Sequence, residues 1–158
     1  MMEDAAADLQ LGPLSFWAIG RLPEPTSDPW WIDEVDCRAV VCSSGVMAEV
    51  TGWLPSRNFR FYLAELEALH RNLNGVATLD GSDMGLVVTL TSIGATGQVR
   101  SALRLWPGGA WTSAMEAEFN CDQSYLPRLI AEVRGILLRF PVMVDAPTLG
   151  IKADAQRL

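Results

Sequence analysis

The chain has 158 residues, 49% of them hydrophobic, and carries a formal net charge of −7. This length and composition predict a single domain with a sizeable core. The negative charge argues against nucleic acid as a direct partner, because phosphates would be repelled, and leaves either a surface that aids solubility or one that steers a basic protein partner. No apolar run approaches a membrane span and no secretory signal pattern occurs, so we expect a cytoplasmic protein that does not bind membranes.

Few residues are suited to chemistry. The three cysteines lack metal-site spacing, and Cys37 and Cys42 should point to opposite faces of one strand, so we predict reduced thiols. No motif for cradling phosphate, activating a serine or binding zinc occurs. We therefore predict neither a metal nor a cofactor.

The first third of the chain predicts strands. Residues 1–9 are acidic and alanine-rich, and we expect a flexible tail there. A proline-rich loop should precede the second strand, in which the adjacent Trp30 and Trp31 would face opposite sides and Asp33, Glu34 and Asp36 would form a solvated edge. The turn at 43–45 predicts a hairpin. The predicted strands are 14–22, 30–42 and 46–54.

Helical spacing then begins after Ser56. We expect Gly75 to provide a left-handed C-cap, and we expect His70, the only histidine, at the edge of the core. An enzyme using Cys121 as nucleophile and His70 as base is a minor alternative. The apolar stripe consists of Phe59, Tyr62, Leu63, Leu66, Leu69, His70 and Leu73.

The second half predicts four more strands and a closing helix. In residues 111–121 apolar and polar side chains alternate, which is typical of a half-buried strand. Ser124 is the predicted N-cap of the helix, Pro127 fits its first turn and Pro141 ends it. The strands are predicted at 76–79, 86–93, 98–106 and 111–121.

These elements predict an α+β domain over residues 10–142, with flexible tails at 1–9 and 143–158. We expect a mostly antiparallel sheet of six to seven strands with both amphipathic helices packed on one face. The helical stripes are too apolar to face water, and the strands offer a matching apolar face.

The candidate partner-binding residues are aromatic and acidic, because large rigid aromatic side chains dominate protein interfaces. If residues 107–110 form a turn, Arg100 should lie near Glu118 and Arg104 near Glu116, beside Trp106. A solvated sheet face, or a subunit contact that covers the tryptophans, is the alternative. The predicted partner-binding residues are Trp30, Trp31, Trp106, Glu116 and Glu118.

One junction suggests a family. The run Phe119-Asn120-Cys121-Asp122-Gln123-Ser124-Tyr125-Leu126, together with Trp30-Trp31-Ile32, resembles the WapI family of bacterial immunity proteins, and the similarity covers roughly residues 28–142. The resemblance implies the same order of strands and helices. It also implies protection of a cell from a sibling's secreted toxin, by binding the toxin's C-terminal domain without catalytic residues.

The leading hypothesis is therefore a non-enzymatic cytosolic protein that neutralises a basic toxin domain by occluding it. A sheet-based binder of a small molecule or carbohydrate is the alternative from another class.

Overall fold

The computed structural model describes residues 5–21, 28–107 and 113–144. Within them the chain forms two four-stranded antiparallel sheets and two α-helices. The elements are β1 Leu9–Leu11, β2 Leu14–Arg21, β3 Glu34–Ser43, β4 Val46–Pro55, α1 Ser56–Asn72, β5 Val76–Gly81, β6 Leu86–Ile93, β7 Gln98–Leu105, β8 Met115–Asp122 and α2 Leu126–Arg139, with 3-10 turns at Ser82–Met84 and Gln123–Tyr125.

The α+β class with antiparallel strands and two helices is confirmed, but the strands form two sheets where we predicted one. The first sheet has the order β1-β2-β3-β4 and the second β5-β6-β7-β8. Every strand therefore pairs only with its neighbour in sequence. The sheet divides at α1, because the chain leaves β4 directly into this helix and no ladder of hydrogen bonds joins β4 to β5.

One core joins both sheets to both helices. Phe16 of β2 meets Phe59 of α1 edge-to-face, with ring centroids 5.8 Å apart. The helices pack on each other, α1 also contacts β5, and α2 contacts β1. Leu66 and Val133, on the inward stripes of the two helices, are fully buried. Each large apolar side chain buried in this way contributes about 1.5–3 kcal/mol, which makes the shared core the main source of stability.

The end of α1 differs from the prediction. Leu73, not Gly75, takes the left-handed conformation that ends the helix, with φ of 51°, and its amide donates to the Leu69 carbonyl at 2.8 Å. Leu69 takes the inward position, which turns His70 outward, so the prediction of His70 at the core edge is wrong. Both helices are shorter than a bilayer-spanning helix, and in the described ranges none is apolar enough to cross a membrane.

The start of α2 is capped by a different residue than expected. The Asp122 carboxylate accepts a hydrogen bond from the Ser124 amide at 2.7 Å. This contact adds the 3-10 turn Gln123–Tyr125 before the helix, so the prediction of Ser124 as N-cap is wrong. Pro127 still lies in the first turn of α2, where its missing amide hydrogen needs no partner.

Two predicted strands have different bounds. Leu9, which we assigned to a flexible tail, is buried and begins β1. β3 begins at Glu34 and not at Trp30. The first residues of the strand predicted at 111–121, most of the turn predicted at 107–110 and the tail from 145 onward lie outside the described residues.

Candidate partner-binding surface

The outer face of β7 and β8 contains three of the predicted site residues. Arg104 and Glu116 are direct partners across the two strands, and the Nε of Arg104 lies 3.5 Å from Oε1 of Glu116. The Arg104 guanidinium also lies over the ring of Trp106, 5.4 Å from its centroid. The predicted neighbourhood of Arg104 and Glu116 is therefore confirmed, and the Glu116 charge already has a partner within the chain.

The second predicted pair, Arg100 and Glu118, lies on adjacent strands of this face but is not directly opposed. Paired residue numbers in an antiparallel ladder have a constant sum, so the Arg104–Glu116 pair places Arg100 opposite Asn120 and Glu118 opposite Ala102. Glu118 is thus a diagonal neighbour of Arg100. It remains exposed on the same face as Glu116.

Trp106 lies where this face meets the 3-10 turn Ser82–Met84. Its amide donates to the Gly85 carbonyl at 3.0 Å. Gly85 has a φ of +89°, and a Cβ there would lie 2.9 Å from the Trp106 carbonyl oxygen. Only glycine meets both requirements, so Gly85 holds the half-buried Trp106 against the turn.

The same turn contacts the first sheet. A Cβ built at Gly52 of β4 would lie 2.6 Å from the Cβ of Met84, which shows how closely β4 approaches the turn. The next residue of β4, Trp53, points to the outer face and is 37% exposed. The turn therefore packs against β4 on the face opposite the Trp53 side chain, and it also holds Trp106 through Gly85.

Carboxylates surround Trp53. Asp36 is its direct cross-strand partner, and Glu34 lies two residues along β3 on the same outer face. Asp83, in the 3-10 turn, lies within electrostatic range of Glu34. We call this group the Trp53 surface, and it consists of Trp30, Trp31, Glu34, Asp36, Trp53 and Asp83.

Trp30 and Trp31 lie in a turn that precedes β3. They are 52% and 54% exposed, so the prediction that they alternate across a strand is wrong. The Trp30 amide donates to the Asp28 carboxylate at 2.9 Å, and the Glu34 amide donates to the Trp31 carbonyl at 3.2 Å. This turn places both tryptophans directly before β3 and ties the Trp31 backbone to the first residue of that strand, Glu34.

Asp33 links the turn that precedes β3 to two other segments of the chain. Its carboxylate is fully buried and accepts hydrogen bonds from the amides of Met143, at 2.6 Å, and Val144, at 3.1 Å. Its carbonyl accepts from the Ser56 amide at 2.9 Å. The prediction of a solvated Asp33 is therefore wrong, because this residue ties the start of β3 to the segment after α2.

The charges of the Trp53 surface differ from those elsewhere in the described chain. Glu34, Asp36 and Asp83 form neither an ion pair nor a side-chain hydrogen bond among the described residues. Many other carboxylates are matched by an arginine. The matched pairs include Asp8–Arg139, Glu49–Arg38, Glu67–Arg134, Glu116–Arg104 and Glu132–Arg128.

Burial affects the ionisation of Glu34. It raises the pKa of this carboxyl group above the ordinary value, whereas the charge of Arg57 lowers it and the carboxylates of Asp83 and Asp33 add to the rise. Arg57 is 9% exposed, and its Nη1 has no hydrogen-bond partner in the described part of the chain. The cation whose charge acts on Glu34 is thus held inside the protein, in the first turn of α1.

Sequence reasoning missed Trp53, Glu34, Asp36 and Asp83 as site residues. The pairing of Asp36 with Trp53 follows from the predicted hairpin, because the Ser43–Val46 pair at its turn determines every pair below it. Asp83 has no such signal. Its place beside Glu34 depends on the contact between the 3-10 turn and β4.

Cys121 and His70, the residues of the minor enzyme hypothesis, lie outside the Trp53 surface. Burial raises the pKa of the half-buried Cys121 thiol, which disfavours the thiolate that a nucleophile needs. His70 lies in a shallow groove between the helices, beside Glu67 and Arg134. Across ranges 5–21, 28–107 and 113–144, no three His, Cys, Asp or Glu side chains are grouped so that they could hold a metal ion.

The family model of the WapI-like immunity proteins matches residues 9–141. The chain belongs to the WapI-like immunity protein family. Membership gives it the general role of an immunity protein, which implies a toxin as partner. The junction that suggested this family is the β8–α2 connection around Asp122. No curated protein and no solved structure gives a significant match to the chain.

Proposed function

We propose that this protein neutralises a basic toxin domain by binding it through the Trp53 surface and occluding it. The observation that supports this most strongly is the juxtaposition of three exposed tryptophans, Trp30, Trp31 and Trp53, with carboxylates that form no ion pair with another described residue. Because interfaces are enriched in tryptophan at their centres, these side chains are suited to serve as anchors.

The unpaired carboxylates provide the attraction. Glu34, Asp36 and Asp83 need no internal ion pair to break before they bind a cation, whereas Glu116 would first have to release Arg104. Such charges raise the association rate of an oppositely charged partner and select against acidic ones. The formal net charge of −7 acts in the same direction over longer distances.

Trp106, Glu116 and Glu118 would lie at the rim of the interface. Trp106 is joined to the Trp53 surface through Gly85 and the 3-10 turn, but it is half-buried and partly covered by Arg104. Rim charges contribute mainly to the association rate, and central aromatic side chains contribute most of the affinity.

Occlusion requires no catalytic group. The raised pKa of the Cys121 thiol and the exposed position of His70 on α1 support a non-enzymatic mechanism. The steric bulk of the domain would then exclude substrate from the bound toxin.

The test begins by examining the neighbouring genes for a large secreted protein with a variable C-terminal domain, and then co-expresses that C-terminal domain with this protein. We expect the wild-type protein to restore growth and to form a stable complex with the purified toxin domain in calorimetry. We expect Trp53→Ala to lose protection, whereas the control Trp17→Ala, on the same sheet, should protect as well as wild type. Absence of both protection and a complex with the wild-type protein would overturn the proposal.

A further inference from the structure

In the part of the chain that the structure describes, the outer faces of the two sheets contain three tryptophans with a carboxylate close by, namely Trp17, Trp106 and Trp53. Two of them are covered by an arginine of this chain. Arg38 lies 4.9 Å from the ring centroid of Trp17 and donates to the Glu49 carboxylate at 2.8 Å.

Arg104 forms the second example. It lies 5.4 Å from the ring centroid of Trp106, and its Nε lies 3.5 Å from Oε1 of Glu116. The chain thus uses the same arrangement twice, with an arginine between the face of an indole and a carboxylate. Both attractions act on the one guanidinium: the ring quadrupole and the negative charge.

Trp53 has the indole and the carboxylates of this arrangement but no arginine. Asp36 lies directly opposite Trp53, Glu34 follows on the same face, and no cation stacks on the Trp53 ring among the described residues. Arg57 does not fill the position, because it is buried in the first turn of α1.

We propose that the partner supplies the missing arginine, or a lysine in its place, so that its cation lies on the Trp53 ring between Asp36, Glu34 and Asp83. This inference rests on the proposed function and names the contact that the Trp53 surface makes. The partner is therefore a protein domain with an exposed basic side chain at the centre of its interface. Arginine fits best, because its flat guanidinium stacks on an indole and pairs with a carboxylate at once.

The chain offers a position from which the cation can be supplied internally. Arg104 stands two residues before Trp106 on β7, and Thr51 stands two residues before Trp53 on β4, exposed on the same face. Thr51 lies directly opposite Arg38, whose guanidinium is bonded to Glu49 and lies over Trp17. The guanidinium introduced by Thr51→Arg should therefore turn away from Arg38 towards Trp53 and Asp36, where it would compete with the partner's cation. Thr51→Gln has a comparable length without charge and is the matched control.

The experiment measures the Kd of the toxin domain for each variant by calorimetry. We expect Thr51→Arg to weaken binding by about tenfold or more, and the double variant Glu34→Gln with Asp36→Asn to do the same, as fits the loss of a central charged contact. We expect Thr51→Gln and Glu49→Gln, which alters the internally completed arrangement at Trp17, to stay within about threefold of wild type. Circular dichroism would check that each variant is folded.

The outcomes separate the two proposals. If the wild-type protein binds the toxin domain but Thr51→Arg and the double variant bind with unchanged Kd, the partner's cation does not contact Trp53, and this inference is wrong while the proposed function stands. If wild type forms no complex and gives no protection, the proposed function itself fails. Equal weakening by Thr51→Arg and Thr51→Gln would also overturn the inference, because charge would then play no part.

Discussion

The regions around Trp106 and Trp53 are built from the same residue types but differ in one cation. On the outer face of β7 and β8, Arg104 lies between Trp106 and Glu116 and joins two strands. At the start of β3 and the end of β4, Trp53 lies opposite Asp36 with no such arginine. The first set of charges helps to hold strand register, and the second is available to a partner.

The difference arises from register and from helix position. The β7–β8 ladder places Arg104 directly opposite Glu116. The β3–β4 ladder places Asp36 opposite Trp53; Arg38, two residues along β3, is bonded to Glu49, and Arg57, whose charge acts on Glu34, is buried by α1. An acidic surface is therefore not uniform: its capacity for binding depends on which carboxylates are already matched.

The largest effect is expected from Asp33, which supports the Trp53 surface. Asp33→Ala should lower the free energy of unfolding by about 3 kcal/mol, because the amides of Met143 and Val144 lose their buried acceptor and Arg21 loses its ion-pair partner. Urea unfolding measures the loss. The control Asp36→Asn, on the outer face, should change stability by less than about 0.5 kcal/mol. Equal stability of the two variants would show that the contacts of Asp33 do not stabilise the protein.

The next effect concerns Gly85, which lies against Trp106. Gly85→Ala should cost about 2 kcal/mol, since it combines an unfavourable left-handed backbone with a contact to the Trp106 carbonyl. Gly94→Ala is the matched control: its φ is +60° but its Cβ would meet open space, so we expect about 1 kcal/mol. Thermal unfolding, monitored by tryptophan fluorescence, measures the stability of both variants. A smaller loss of stability for Gly85→Ala than for Gly94→Ala would show that the close contact between Gly85 and Trp106 does not contribute to stability.

A smaller effect is expected from the matched charge. Glu116→Gln should lower the free energy of unfolding by about 0.2–1 kcal/mol, because it removes an exposed pair with Arg104. Added salt should reduce the difference from wild type. A stability gain at low salt would show that this pair does not support the β7–β8 ladder.

The smallest expected effect is that of Glu34→Gln, for which we predict the direction of the change in stability with pH. The pKa of Glu34 is raised by burial, so the folded protein binds its proton more tightly than the unfolded chain, and the ionised carboxylate lowers stability as pH rises through the raised pKa. Glu34→Gln should therefore be more stable than wild type at about pH 7, with the difference disappearing at about pH 4, below the ordinary glutamate pKa. Denaturant unfolding at both pH values measures this. A destabilised variant at neutral pH would contradict the prediction and show that the attraction of Arg57 outweighs the cost of burying the Glu34 charge.

Much of the fold was predictable because periodicity is a local property. Alternation along β8 predicted which side chains face the core, and the helical stripes of α1 and α2 predicted Leu66 and Val133 as buried residues. The short turn at Ser44 and Gly45 determined the β3–β4 pairs, including Asp36 with Trp53. The family could also be predicted from a local signal, because the motif that suggested it lies within the β8–α2 junction.

The tertiary structure decided what depends on contacts between distant segments. The division into two sheets follows from the absence of a β4–β5 ladder, which no local pattern encodes. The burial of Asp33 requires the segment after α2, and the place of Asp83 beside Glu34 requires the turn to approach Gly52. A residue's periodicity defines only its orientation within its own element, whereas the charge it meets is set by the element packed against it. For this reason the chain predicted an acidic, tryptophan-bearing protein, and only the fold distinguished the matched charges at Trp106 from the unmatched ones at Trp53.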